Sequence, residues 1–293
     1  MMGVSVVPVD LTNPGQVFAC LGFAEAADVL LGHAEGGFDW RQSDVVLFRL
    51  EASGHEAPVE RVLRFLEDAT VSSLAPLDSK TDTGRWKVET VVSKQPAFPF
   101  PDPGSPDKLP ARLVDGDGRV IVIDHWGDKT RRRDNVKFWA GSGGYPGAAL
   151  ARDALDLVRG RVCDHSADPF AIAACQTGSF RFDWRRDYVP IDAGFSPNAH
   201  RKAVVMVGYP VVELMAAIGL THARPARRHK LSYTYGVAGG DLYDLVFLRA
   251  ALGSRRGPIP GMPFRRFHMQ LDWPGQEDQA RCITSVLEES VST

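Results

Sequence analysis

The chain has 293 residues, of which 44% are hydrophobic and 24% charged, and these fractions are typical of a globular protein and exclude wholesale disorder. The longest apolar runs, such as 203–207, are far shorter than a bilayer-spanning segment, and residues 1–10 lack the basic start and the cleavage site of a signal peptide. The four cysteines lack the spacing of a zinc site, so we predict that they are buried, reduced thiols. We expect a soluble cytoplasmic protein that does not bind a membrane.

The first part of the chain alternates between strand and helix signals. Residues 4–9 predict a short strand, and Asn13-Pro14 supplies an N-cap with proline at the first helical position for a helix to about residue 31. Gly36-Gly37 predicts a break in the chain, and residues 44–50 predict a second strand. Pro58 predicts the start of a second helix. We therefore predict a β-α-β-α pattern for residues 1–93.

The second part of the chain begins after a proline-rich segment. Six prolines between residues 94 and 110 predict a long loop without regular structure. Beyond it we predict a hairpin around 115–118, strands at 180–184 and 203–207, and helices at 146–158, 210–220 (closed by Gly219) and 276–289. The predicted fold class is α+β, with mixed sheets and flanking helices. It forms one large domain or two small ones, with residues 111–293 as the basic C-terminal part.

The charges are distributed unevenly along the chain, although the net charge is only −2. Residues 1–126 carry 11 Lys+Arg against 19 Asp+Glu, residues 127–270 carry 22 against 12, and residues 271–293 carry 1 against 5. An excess of this kind indicates a basic face for a polyanion such as nucleic acid. The alternative is that the basic residues pair with nearby acids on solvated faces.

Four clusters within residues 127–270 place basic side chains beside aromatic ones. A guanidinium group can bind phosphate through two hydrogen bonds, and an adjacent aromatic ring can stack on an unpaired base. The residues predicted to bind nucleic acid are Lys129, Arg131, Arg132, Arg133, Lys137, Trp139, Arg185, Arg186, Arg227, Arg228 and Lys230. The fourth cluster is Arg265-Arg266-Phe267. Further candidates are Trp184 and Tyr235 for stacking, and Asn135 and Gln176 for reading base edges.

Catalytic and cofactor motifs are weak by comparison. The glycine-rich segment 141–147 lies before a helix and could hold a phosphate, but it is neither a Walker A loop nor a Rossmann fingerprint, and a plain turn explains it equally well. Asp115-x-Asp117-Gly118 resembles the start of a calcium loop, yet Arg119 occupies a ligand position, which favours a hairpin turn. We find no nucleophile elbow, HExxH motif or metal-ligand spacing. We therefore expect a non-catalytic protein with no cofactor and no bound metal.

Three segments are more distinctive than their chemistry requires. They are NPGQVFACLGF at 13–23 with GGF at 36–38, DAGFSP at 192–197, and YPVVELMAAIGL at 209–220 with Arg224-Pro225 after it. Together they resemble a protein family of type I-U (I-G, Dpsyc) CRISPR systems that is assigned to the large-subunit position of the Cascade interference complex. The resemblance extends from the first helix to about residue 270.

The resemblance implies a non-catalytic subunit of an antiviral ribonucleoprotein. Such a subunit binds crRNA and target DNA, contacts the protospacer-adjacent duplex, and helps to recruit a helicase–nuclease alongside the other Cascade subunits. At 293 residues the chain is short for a large subunit. Two alternatives stay open. One is a guide-coating scaffold subunit. The other is a repeat-RNA-processing endoribonuclease whose acid and base would come from His125, His165, His200 and His229.

Overall fold

The computed structural model describes residues 1–41, 44–74, 86–91, 111–123, 147–176, 178–185, 207–272 and 282–290. Helices and strands both contribute extensively to these residues, which confirms the predicted α+β class. The strand pairs of the described sheets are antiparallel, so these sheets are antiparallel and not mixed. The predicted loop at 94–110 lies outside the described residues, as do 203–206 and 276–281.

The N-terminal sheet contains four strands. They are β1 (Met2–Val9), β2 (Ala34–Asp39), β3 (Val46–Ser53) and β11 (Tyr243–Asp244), in the order β1-β3-β2-β11. Strand β2 contains Gly36 and Gly37, so the break predicted there is wrong. A side chain on Gly37 would overlap the backbone oxygen of Asp241. Glycine is needed at position 37 because another segment of the backbone passes very close to it. A glycine pair in a sequence looks the same whether it forms a turn or allows such a close approach.

Helix α1 (Pro14–Leu31) forms the centre of the molecule against α4 (Pro210–His222). The predicted N-cap is confirmed, because Asn13 Oδ1 accepts a hydrogen bond from the Gly15 amide at 3.1 Å. Gly22 and Gly219 meet where the helices cross, and a Cβ on Gly22 would overlap the Met215 carbonyl oxygen. Gly219 therefore lies inside α4 and does not close it. The helix continues to His222, and the Ala223 amide after it donates to the Gly219 carbonyl oxygen.

The hydropathy of α1 is explained by its position in the core. Within the described residues it is the one helix long and apolar enough to cross a bilayer, with a mean hydropathy of 1.2, and 83% of this stretch is buried inside the fold. Its buried carboxylate, Glu25, accepts two hydrogen bonds of 2.6 Å from Arg249 and lies 3.4 Å from His222 Nδ1. This ion pair joins α1 to α5 (Leu245–Gly253) and to the end of α4.

The C-terminal sheet contains β9 (Ala226–His229), β10 (Ser232–Ala238), β12 (Phe264–Asp272) and β13 (Cys282–Glu289), in the order β13-β12-β10-β9. Residues 282–289 pair with β12 along their whole length, so the terminal helix predicted at 276–289 is wrong for these residues. Cross-strand pairing with β12 decides the conformation of this segment, and that partner is not visible in the local sequence.

The remaining elements surround the helix pair. Helix α2 (Pro58–Asp68) begins at the predicted proline, and β4 (Thr70–Ser73), β5 (Ala111–Val114) and β6 (Val120–Ile123) form a three-stranded sheet. The predicted hairpin turn is confirmed, because Asp115 Oδ1 accepts from the amides of Asp117 and Arg119. Helix α3 (Gly147–Val158), the short strands β7 (Ala174–Cys175) and β8 (Val207–Gly208), and two 3-10 turns at Cys163–His165 and Pro169–Ala171 complete the described elements.

Among the described residues, one hydrophobic core extends from Val7 to Ile283 and includes residues from both sides of the proline-rich segment. The cysteines are only partly as predicted. Cys20 is buried in α1, and burial raises the pKa of its thiol, whereas Cys163 and Cys175 are exposed. The expectation of buried thiols is therefore wrong for these two residues.

Candidate nucleic-acid interface

Four of the eleven predicted nucleic-acid-binding residues are in the part of the chain that the structure describes, namely Arg185, Arg227, Arg228 and Lys230. The other seven lie outside it: Lys129, Arg131, Arg132, Arg133, Lys137, Trp139 and Arg186. The same holds for Asn135, His125, His200 and most of the glycine-rich segment.

Arg185 is held inside the protein by several partners. Its Nη2 donates to Asp183 Oδ2 at 2.6 Å and to the Phe170 carbonyl oxygen at 2.8 Å. Its guanidinium carbon lies 3.6 Å from the centre of the Tyr209 ring, in a cation–π contact. These contacts occupy most of the guanidinium group, so Arg185 positions its loop and is a poor phosphate ligand in this arrangement.

The loop around Arg185 is clamped by buried polar groups from both core helices. Asn13 Nδ2 donates to Asp183 Oδ1 at 2.9 Å, and the Glu213 carboxylate accepts from the amides of Phe182 and Asp183 at 3.2 and 3.1 Å. Because these backbone groups bond to a side chain, they do not join a sheet, and the strand predicted at 180–184 is wrong. Trp184 follows directly on this clamp, and 38% of its surface is exposed.

Two other residues predicted to contact bases are buried. Tyr235 is fully enclosed, and its hydroxyl donates to the Leu11 carbonyl oxygen at 2.7 Å. Burial raises the pKa of this phenol well above its ordinary value. Gln176 is 2% exposed. Neither side chain can reach a base, so the predictions that Tyr235 stacks on a base and that Gln176 reads a base edge are wrong. The local sequence does not show whether a side chain is buried.

The basic strand β9 is an edge strand of the C-terminal sheet, and it leads into an exposed turn. Arg228, His229 and Lys230 are all exposed to solvent. Arg228 also forms an ion pair with Glu289 of β13. This strand and its turn, residues 227–230, are the described part of the chain that most resembles a phosphate-binding surface.

The fourth basic cluster is neutralised by the end of the chain. Arg265 Nε donates to Glu288 Oε1 at 2.7 Å, and Arg266 Nε lies 2.8 Å from Glu289 Oε2. The hydrogen bonds from Arg265 lower the pKa of Glu288 below its ordinary 4.5. Pairing of basic residues with nearby acids is therefore the correct interpretation here. Phe267 in the same cluster is fully buried and is not a stacking platform.

Histidines occupy different environments in the described residues. His165 Nδ1 lies 2.9 Å from the Arg161 carbonyl oxygen, and His229 is exposed on β9. His268, which no sequence motif marks, has its Nε2 2.6 Å from Ser232 Oγ. Ser232 is 1% exposed, so its hydroxyl is closed to a substrate. Partial burial, and next the positive charge of Arg228, lower the pKa of His268.

A cleft of about 500 Å³ lies between the ends of β1 and β3 and the short helical turn Pro169–Ala171. Its walls include Asp10, Asp44 and Asp168 together with Arg185 and Arg265. Both arginines are already paired, with Asp183 and Glu288, so the three aspartates dominate the electrostatics of the cleft. A cleft of this charge does not favour phosphate, and we do not assign the nucleic-acid interface to it.

The fold and the exposed basic residues define an α+β protein with a basic edge strand. Comparison with known proteins adds no relative, because no protein-family model, no curated protein and no solved structure matches the chain. The charges and contacts of the described residues are therefore the basis for a functional proposal.

Proposed function

We propose that this protein is a non-catalytic nucleic-acid-binding subunit of a type I-U/I-G CRISPR interference (Cascade) complex. The observation that carries the proposal is the exposed basic strand β9 with its turn, residues 227–230, in a part of the chain with a large excess of Lys and Arg. The family resemblance of residues 13–23, 192–197 and 209–220 supports the particular assembly.

Binding in this proposal depends on phosphate contacts. The described residues supply two cationic groups, Lys230 and Arg228, and the side chain of Arg228 is 41% exposed although it pairs with Glu289. Residues 129–137 supply five more Lys and Arg in sequence. Trp184 offers an exposed ring to an unpaired base beside a loop that is held rigidly. The target sequence would be read by base pairing with the crRNA, while the protein would contact the nucleic-acid backbone and recognise the shape of the duplex.

In this proposal, the helical segments that carry the family resemblance have a structural role. Residues 13–23 and 209–220 belong to the two helices that cross at Gly22 and Gly219, and Asn13 and Glu213 clamp the loop that carries Trp184. These segments would therefore maintain the surface without contacting nucleic acid. Other Cascade subunits and the helicase–nuclease would dock elsewhere on the chain.

The test is a binding measurement with duplex DNA, single-stranded DNA and RNA across a salt series. Two variants remove candidate phosphate contacts, namely Arg228→Ala/Lys230→Ala and Arg131→Ala/Arg132→Ala/Arg133→Ala. Arg49→Ala/Arg119→Ala is the control, because it removes exposed positive charge from the acidic N-terminal half. We expect the slope of log K against log salt to fall by about one unit per lost contact, with no change in the control.

Three results would contradict this function. Absence of binding at low salt would move the basic residues to protein interfaces. Metal-independent cleavage of repeat RNA that is lost in His165→Ala or His229→Ala would make the protein an endoribonuclease. Stoichiometry that grows with RNA length would make it a guide-coating subunit.

A further inference from the structure

Three potential metal ligands, one of them distant in sequence from the other two, meet at one edge of the N-terminal sheet. They are His33, in the turn before β2, Glu35 on β2 and Asp244 on β11. The ligand atoms of the three side chains all lie within 4.8 Å of one another. A single ion bound to all three would sit at ordinary coordination distances of about 2.0–2.2 Å after small side-chain rotations.

The backbone holds these three positions in place. Strands β2 and β11 are antiparallel, and their register puts Asp244 directly opposite Glu35. The turn that carries His33 is held from two sides, because the Ala34 amide donates to Asp28 Oδ1 and the Ser53 amide donates to the Gly32 carbonyl oxygen, each at 3.1 Å. Strand register and backbone hydrogen bonds therefore bring the three ligand positions together.

The electrostatics of this cluster favour a cation. Carboxylates directly opposite one another on paired strands repel each other. Among the described residues, no lysine or arginine forms an ion pair with Glu35 or Asp244, and the nearest partner of Glu35 is His33 Nε2 at 3.5 Å. The side chain of His33 is 60% exposed and that of Glu35 is 34% exposed, which leaves space for an ion and its water ligands.

We propose that His33, Glu35 and Asp244 form a binding site for a divalent transition-metal ion of the Zn²⁺ class. One imidazole nitrogen with two carboxylate oxygens suits Zn²⁺, whereas Mg²⁺ prefers oxygen ligands in a near-octahedral arrangement. Three protein ligands leave at least one position for water. The bound ion fastens β11, and with it the start of α5, to β2. In the described residues, only two residue pairs join β2 to β11.

The experiment is titration of the full-length, metal-free chain with ZnCl₂, followed by calorimetry and by thermal unfolding. We expect one Zn²⁺ per chain and a rise in the melting temperature, since an ion that binds only the folded state stabilises it. His33→Ala and Asp244→Asn should each weaken binding more than about tenfold. The matched controls are His55→Ala, which removes another exposed imidazole, and Cys163→Ser, which removes an exposed thiol.

The outcomes separate this site from adventitious binding. Equal Zn²⁺ affinity in wild type and both ligand variants would overturn the proposal, and so would loss of binding in Cys163→Ser alone. Far-UV circular dichroism establishes that each variant is folded before titration. If His33→Ala does not fold, Glu35→Gln replaces it, because it keeps the size of the side chain and removes the charged ligand. MgCl₂ in place of ZnCl₂ should bind at least about tenfold more weakly.

Discussion

At the scale of single residues, His268 shows how tertiary position changes the properties of a side chain. It lies on β12, with Nε2 2.6 Å from the buried hydroxyl of Ser232. Partial burial is the largest cause that holds the pKa of His268 below the ordinary 6.5, followed by the positive charge of Arg228. Glu289 raises this pKa, and His229 lowers it further. The sequence marks His268 only as one of eight histidines.

His268 should make stability depend on pH. Because its pKa is lower in the folded protein, the unfolded chain takes up a proton first as the pH falls, and unfolding becomes easier. The contribution of His268 is complete above about pH 6.5 and decreases below it, until the folded protein also binds the proton. We expect wild type to lose more unfolding free energy than His268→Gln between about pH 7 and pH 5.

Urea unfolding at several pH values measures this difference. His165→Gln is the control, because it removes an exposed imidazole from a different part of the structure. Effects of the other titrating groups are common to all three proteins and cancel in the comparison. Parallel stability curves for wild type and His268→Gln would show that His268 titrates alike in the folded and unfolded chain.

At the scale of elements, the crossing of α1 and α4 determines how closely the centre of the molecule packs. Gly22→Ala adds a methyl group that would overlap the Met215 carbonyl oxygen, and the neighbouring Gly219 amide is also in contact. Alanine favours an isolated helix by about 1 kcal/mol over glycine, but overpacking at a backbone contact costs more. We expect Gly22→Ala to lower the free energy of unfolding by about 2 kcal/mol.

Chemical unfolding followed by circular dichroism measures this change. Gly116→Ala is the matched control, because a side chain there would contact nothing within 4 Å. Its stability should stay within about 0.5 kcal/mol of wild type. A stabilised Gly22→Ala would mean that helix propensity outweighs the contact and that α1 and α4 can separate slightly.

The elements differ in how well the sequence predicts them. Helices α1, α2 and α4 begin at Asn13-Pro14, Pro58 and Pro210 as predicted, because proline at the first turn acts locally. The hairpin around Asp115 is local in the same way. Strands β10, β12 and β13 carry no comparable signal, because their conformation depends on partners that come from distant parts of the chain.

At the scale of the whole molecule, the shared core bears on how the chain can be divided. A separate N-terminal domain at 1–93 would contain α1, yet the main partner of α1 is α4, at 210–222. We expect a fragment of residues 1–93 to lack a cooperative urea transition, because α1 would expose apolar surface that α4 covers.

The measurement compares this fragment with the full chain by circular dichroism in urea. The full chain should unfold in a transition that includes both sides of the proline-rich segment. Adding residues 111–293 as a separate fragment should restore the transition if the two parts associate through α1 and α4. Cooperative unfolding of 1–93 alone would establish two domains.

Local and compositional information in the amino-acid sequence is enough to predict the α+β class, the starts of three helices, the tight turn at 115–118 and the basic excess of residues 127–270. The exposure of individual basic residues, in contrast, depends on how the chain folds. The fold places Arg265 and Arg266 against Glu288 and Glu289 of β13, and it leaves Arg228, which also pairs with Glu289, exposed together with His229 and Lys230. It also brought His33, Glu35 and Asp244 together. Charge pairing and ligand geometry depend on contacts between distant segments, and those contacts exist only after the chain has folded.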